Sequence, residues 1–274
     1  MQKNQWKTLF LILPVFFFFS GQLCLADNDT NLLQNGDNPV TNYRQAGTNG
    51  SNFGFGMGIF TKSSPYRGVK NGIVRIVPSI FYISERVRLF GPFFEYKVGS
   101  YGYITAVLTA RYRFDSYDVK DSRFFEGLDS PEDTLMSGVG VQIKLPSKMS
   151  LSVRCEADVL DKTGGYETRI HLKKRMRWKM LSITPELGIN VLSSELANHD
   201  YGVPEALTLD WRPAYHLDEG IVWDTGISIT SVPFHGWTVN ISGNIEILGD
   251  EIRNSPLVDK DIIARGMLIV SRML

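Results

Sequence analysis

Charged side chains recur at every second position in two stretches of the chain, a spacing that could select ions or small polar solutes. In an extended strand, residues two apart point to the same face. Each stretch would therefore present its charges to one space, where fixed charges favour solutes of opposite sign. The candidate selectivity residues are Arg154, Glu156, Asp158, Glu167, Arg169 and, in a later stretch, Glu186.

His171 continues the second charged stretch, and a histidine at such a position could act as a general acid or base. The sequence, however, shows no serine-nucleophile motif, no His-Glu pair at metal-ligand spacing and no glycine-rich phosphate loop. A polar ladder of alternating charges accounts for His171 equally well. We therefore predict a protein that is not an enzyme, with no catalytic, cofactor-binding or metal-binding residues.

The densest basic cluster of the chain could dock an acidic partner or lipid phosphates. It consists of Lys173, Lys174, Arg175, Arg177 and Lys179. The alternative is a solvated turn beside a strand, because runs of charge commonly face water.

These residues lie within a pattern of alternation that extends over most of the chain after residue 50. In the clearest example, residues 134–145 place the apolar side chains of Leu135, Val139, Val141, Ile143 and Leu145 on one face and Thr, Met, Gly, Gln and Lys on the other. A short turn at 146–148 leads to 149–159, which alternates in the same way but carries charges on its second face. A face this strongly charged suits a water-filled lumen, with the apolar face toward lipid. The pattern predicts an all-β fold, an antiparallel transmembrane β-barrel of about 10–12 strands.

The beginning of the chain indicates export. Residues 1–26 combine two lysines, an apolar core and a Cys-Leu-Ala ending, as in a signal peptide. A lipoprotein acylated at Cys24 is the alternative. Residues 27–50 are polar and predict a flexible periplasmic segment, and residues 51–274 form the predicted barrel. Short turns alternate with long loops, which places the barrel in the outer membrane of a Gram-negative cell with lipid and lipopolysaccharide around it.

Charge and cysteine content exclude other classes of protein. The chain has 29 basic and 29 acidic side chains, whereas nucleic-acid-binding domains are usually strongly basic. We therefore expect no nucleic-acid partner. Removal of the signal peptide would leave Cys155 as the one cysteine, so we expect no intramolecular disulfide.

Four loop segments resemble the MipA/OmpV family of bacterial outer-membrane proteins. They are Ser64-Pro65-Tyr66-Arg67-Gly68, residues 127–134, Asp200-Tyr201-Gly202-Val203 and residues 248–258, the last being the most specific. The resemblance implies a scaffolding protein that links a lytic transglycosylase to a penicillin-binding protein. Members of the family usually end in an aromatic residue that serves as an assembly signal, whereas this chain ends in Leu274.

The leading hypothesis is therefore a non-enzymatic scaffold of the outer membrane that docks peptidoglycan-remodelling enzymes. Its periplasmic turns and residues 27–50 would offer the docking surface. The alternative is a narrow channel or a small-ligand-binding barrel, in which the inward charges set selectivity. The sequence does not decide the oligomeric state.

Overall fold

The computed structural model describes residues 52–69, 72–114, 122–128, 133–231 and 234–274. The predicted signal peptide and periplasmic segment lie outside these residues. The strands are β1 (Asn52–Lys62), β2 (Ile73–Ile83), β3 (Val87–Phe90), β4 (Phe93–Tyr101), β5 (Ile104–Arg113), β6 (Thr134–Leu145), β7 (Met149–Asp158), β8 (Tyr166–Lys174), β9 (Met176–Trp178), β10 (Leu181–Leu192), β11 (Gly220–Ser231), β12 (Trp237–Leu248) and β13 (Ile262–Met273).

The strands form one closed antiparallel barrel. Neighbours in sequence pair along the chain, and β1 pairs with β13 from Gly54↔Met273 to Lys62↔Arg265, which closes the wall. Both β8 and β9 lie along β10 in a single register, and the ladder breaks near Pro185, which has no amide hydrogen to donate. Counting β8 and β9 as one strand, the described residues build a twelve-stranded barrel. The predicted fold class and strand number are confirmed.

The distribution of polarity is the reverse of that in a water-soluble protein. Large apolar side chains such as Val74, Ile76 and Leu187 point outward and are more than half exposed. Polar and charged side chains such as Glu156 and Asn240 point inward and are buried. Apolar groups on the outside cost free energy in water but not in lipid. None of the helices in the described ranges is long and apolar enough to cross a membrane.

The two ends of the barrel differ. The turns after β2, β4, β6, β9 and β11 are short, and we call this the short-turn end. The opposite end carries the connections after β1, β5, β7, β10 and β12, and we call it the long-loop end. Two helices lie there, α1 (Ser194–Tyr201) and α2 (Asp250–Arg253).

The loops of the long-loop end pack into a shared hydrophobic core, which we call the loop cap. It comprises residues 63–69, 122–128, 193–219 and 249–261. Leu196 of α1, Leu217 and Ile252 of α2 are buried in this core against inward side chains at the strand ends. The Asn198 amide ties the cap together, because its Nδ2 donates to the Leu217 carbonyl at 2.6 Å and its Oδ1 accepts from the Leu217 amide at 2.9 Å.

Strand pairing in the wall is incomplete beside β2, because the β3–β4 hairpin is short. Strand β2 has eleven residues, yet it pairs with β3 only over Phe81–Ile83. Pro78 lies beyond this short ladder, on a local edge of β2, where a proline is tolerated because no neighbouring strand needs its missing amide hydrogen.

Candidate functional site

The barrel holds a cavity of about 400 Å³ whose wall combines charged and polar side chains with apolar ones. Ionisable groups from β1, β3, β4, β5, β7, β8, β10, β11, β12 and β13 line it. Most of them fall into two groups, which meet at β8.

The first group, the β3–β8 network, is centred on Glu156, whose side chain is only 1% exposed. Its carboxylate accepts from Arg111 Nε at 2.7 Å, from Thr109 Oγ1 at 2.8 Å and from Arg169 at 2.8 Å. Arg111 also bonds Glu167, so two arginines and two glutamates neutralise one another. The full network is Arg88, Glu95, Arg111, Arg154, Glu156, Glu167 and Arg169.

Glu95 is the second acceptor of this network. It bonds Arg88 at 3.0 Å, Arg154 at 2.7 Å and the Gln142 amide at 2.6 Å. Strand β6, between β5 and β7, carries the inward glycines Gly138 and Gly140. A Cβ on Gly140 would lie 2.8 Å from Cγ of Arg154, so the glycine leaves room for the arginine to cross toward β4.

The second group, the β8–β13 cluster, combines ion pairs with amide side chains. Lys173 Nζ lies 2.7 Å from Glu186, and Arg265 lies 2.9 Å from Glu246. The amide of Asn244 donates to Asp224 at 3.0 Å and to Glu186 at 3.3 Å. His171 Nε2 lies 2.9 Å from Asn190 Oδ1.

The structure brings five of the six predicted selectivity residues to the cavity. Arg154, Glu156, Glu167, Arg169 and Glu186 all line it. Asp158, the sixth, does not line it. Its carboxylate accepts from the Thr134 hydroxyl and from the backbone amides of residues 160, 162 and 163. Asp158 therefore caps the β7–β8 loop, and the selectivity role predicted for it is wrong because those donors occupy its oxygens.

The predicted basic docking cluster divides into three parts. Lys173 points inward to Glu186, which corrects its assignment to a docking surface. Arg175 and Arg177 lie on the same inward face as Lys173 but closer to the short-turn end. Arg177 is exposed there, and Arg175 is half-buried. Lys174 points outward, and Lys179 lies in the turn with its Nζ 5.9 Å from the Trp178 ring centre.

The sequence analysis missed one constellation. One ring nitrogen of His171 and one carboxylate oxygen each of Glu186 and Asp224 lie within 4.8 Å of one another. Three strands supply them, so no local spacing in the sequence shows the cluster. The register of β8, β10 and β11 would have revealed it, since His171 and Asp224 both face Gly188.

Comparison with known proteins decides the family. The sequence model described as MltA-interacting protein MipA matches residues 55–273, the whole described barrel apart from its first three residues and its last. The chain belongs to the MipA family. Its relatives place it in the outer membrane, which confirms the predicted localisation.

Three named outer-membrane proteins are similar to this chain in sequence. The putative outer membrane protein YiaT of Escherichia coli is 26% identical over 228 residues, covering 79% of this chain and 88% of that protein. OmpV of Vibrio cholerae and Omp26La of Vibrio anguillarum are each 24% identical over 144 residues. Those matches cover 53% of this chain and 56% of each relative, so the chain matches little more than half their length. Among solved structures, the NanC porin aligns with 10% identity and a TM-score of 0.39, covering 82% of this chain and 99% of that one.

Proposed function

We propose that this outer-membrane barrel is a scaffold that holds peptidoglycan-remodelling enzymes at the membrane and catalyses no reaction itself. The observation that carries the proposal is the family match over residues 55–273, because the family is described by an interaction with MltA. The partners proposed are a lytic transglycosylase and a penicillin-binding protein. A scaffold acts through its outer surfaces, so the question becomes which surface faces the cell wall.

The short-turn end is the surface that suits this role. Outer-membrane barrels direct their short turns to the periplasm, where peptidoglycan lies. Lys174, Arg177 and Lys179 are exposed at this end and supply positive charge for an acidic surface of a partner. At the opposite end, the loop cap packs its side chains against one another.

Capture from detergent-solubilised envelopes tests the scaffold. The wild-type barrel is expected to retain a lytic transglycosylase or a penicillin-binding protein, identified by mass spectrometry. A variant with Lys174→Ser, Arg177→Ser and Lys179→Ser is expected to retain less. Lys162→Ser with Lys260→Ser, at the long-loop end, is the matched control and should retain as much as wild type. A wild-type barrel that retains neither enzyme would overturn the proposal.

The lipid partners are proposed on the outer face of the same end. Trp178, Phe234 and Trp237 are exposed there, and such aromatic side chains favour the boundary between lipid and water. Lys174 also points outward at this end, at the level where lipid phosphates would be. At the opposite end the surrounding lipid would be lipopolysaccharide.

A second candidate function, a narrow channel or a small-ligand-binding barrel, is favoured by the charged cavity of about 400 Å³. The volume of this cavity lies in the range of small-ligand pockets, which is about 300–1,000 Å³. Conductance in planar bilayers separates this function from the scaffold. A channel would show discrete current steps whose cation-to-anion preference changes on Glu246→Gln, and a silent bilayer would argue against conduction.

A further inference from the structure

We propose that His171, Glu186 and Asp224 form a binding site for a divalent transition-metal ion of the zinc class. The three side chains come from β8, β10 and β11, and their donor atoms lie within 4.8 Å of one another. One imidazole and two carboxylates are a donor set typical of zinc, whereas calcium and magnesium prefer oxygen alone.

The wall is built to bring these side chains together. Gly188 of β10 pairs with His171 on one side and with Asp224 on the other, and Glu186 lies two residues along the same inward face. A Cβ on Gly188 would stand 2.7–2.9 Å from three atoms of the His171 ring. The imidazole therefore lies over the backbone of Gly188, in space that any larger residue would occupy.

The distances allow a metal with small side-chain adjustments. Zinc lies about 2.0–2.2 Å from nitrogen and oxygen ligands, which in a tetrahedral site places neighbouring donors roughly 3.3 Å apart. The present separations, all within 4.8 Å, need a closure of about 1.5 Å or less, within the reach of side-chain rotation. Three protein ligands beside the cavity leave a position open to water or a small anion.

The cluster carries an excess of negative charge, which favours the binding of a cation. Asp224 is 7% exposed, and in the described part of the chain no Lys, Arg or His nitrogen lies within 4.0 Å of its carboxylate. Its hydrogen-bond partner is the neutral amide of Asn244. Glu186, Asp224 and Glu246 outnumber Lys173 and Arg265 by one charge. A buried carboxylate without a directly bonded counter-charge is costly, and a bound cation would reduce that cost.

The neighbours of the cluster act as a supporting shell. When His171 is neutral and donates Nε2–H to Asn190 Oδ1, its Nδ1 carries the lone pair that a metal needs. Asn244 Nδ2 contacts both Glu186 and Asp224 and holds the two carboxylates near each other. Lys173 is a competitor, because its Nζ lies 2.7 Å from Glu186 and must yield part of that contact to the metal.

Titration of the untagged barrel, folded in detergent, with Co²⁺ tests the site. Co²⁺ substitutes for zinc and gives a visible absorption band when nitrogen and oxygen ligands hold it, and Zn²⁺ should displace it. Wild type is expected to bind one equivalent saturably, with Ca²⁺ and Mg²⁺ failing to compete. His171→Ala and the isosteric Asp224→Asn should each weaken binding at least tenfold, and Lys173→Met should tighten it.

His216→Ala is the matched control, because His216 is exposed in the loop cap and does not line the cavity. It should bind Co²⁺ as wild type does. Migration on gels before and after heating verifies that each variant is folded. Absence of saturable Co²⁺ binding by folded wild type would overturn the proposal, as would unchanged binding by folded Asp224→Asn. Enzyme capture and conductance are separate readouts, so this result leaves the proposed function independently testable.

Discussion

Arg111→Met should destabilise the barrel more than any ordinary loss of an ion pair, because it leaves two carboxylates with one arginine. Arg111, Arg169, Glu156 and Glu167 sum to zero charge, and removal of Arg111 changes that sum to one negative unit. Glu156 and Glu167 have side chains only 1% and 9% exposed, so water cannot compensate. Breaking a buried pair from one side costs about 3–5 kcal/mol, and we expect a loss in that range.

A double substitution separates the orphaned charge from the lost contact. Arg111→Met with Glu167→Met restores neutrality and keeps the contact between Arg169 and Glu156. It should cost less than Arg111→Met alone, because buried pairs can be replaced by apolar groups at little cost. Arg253→Met is the matched control at an exposed pair with Asp250, where the expected cost is about 0–1 kcal/mol.

The assay is urea unfolding of the barrel in phospholipid vesicles, followed by tryptophan fluorescence in both directions. The free energies of unfolding of wild type and the three variants are compared, provided that their dependence on urea concentration is the same. The reasoning would be refuted if Arg111→Met cost no more than Arg253→Met. It would also fail if the double variant were less stable than Arg111→Met.

Three further predictions address the wall, the cap and the lipid face. Gly138→Ala should prevent folding or destabilise the barrel by more than about 3 kcal/mol, because its Cβ would lie 1.9 Å from the Cys155 carbonyl oxygen. Gly243→Ala is the control and should fold normally, because its Cβ would meet no atom within 4 Å. Heat-modifiable migration on gels reports folding of both variants. Asn198→Ala should leave the Leu217 amide without its partner and the Leu217 carbonyl with the Ser194 hydroxyl as its remaining donor. The expected cost is about 1–3 kcal/mol, seen as faster proteolysis of residues 193–219 with an intact barrel. Cys155, exposed on the outer face of β7, should resist a charged maleimide in vesicles and react at once in denaturant; equal rates in both would place that face in water.

The alternation of β6 and β7 made the barrel predictable, because each strand faces lipid on one side and a charged lumen on the other. The predicted strands at 134–145 and 149–159 differ from the observed ones by a single residue. The loop after β10 was less readable. Its start is a helix, α1, in which the Ser193 hydroxyl accepts from the Leu196 amide, and β11 begins only at Gly220. Packing against other loops stabilises such a short helix more than its own residues do.

The sequence located the lumen charges but not their partners. Glu156 and Arg169 were identified from parity alone, since parity decides which face a side chain occupies. Glu95 was overlooked as a lumen residue, because Gly91-Pro92 interrupts the alternation beside β4, and Arg111 was not singled out although the alternation of β5 is clear. His171 was considered without Glu186 and Asp224, because strand register, and not sequence spacing, brings them together.

The shared core of the loop cap has a consequence for surface display and for the evolution of the exposed face. An exposed surface loop usually tolerates an insertion without effect on the other loops. Here Leu196 and Leu217 of the β10–β11 loop are buried together with Ile252 of the β12–β13 loop, so a foreign epitope placed in either loop would disturb both. The β7–β8 loop is the exception, because Asp158 caps it from within. A peptide inserted at residues 161–163 would disturb that local cap but leave the core shared by the other loops intact.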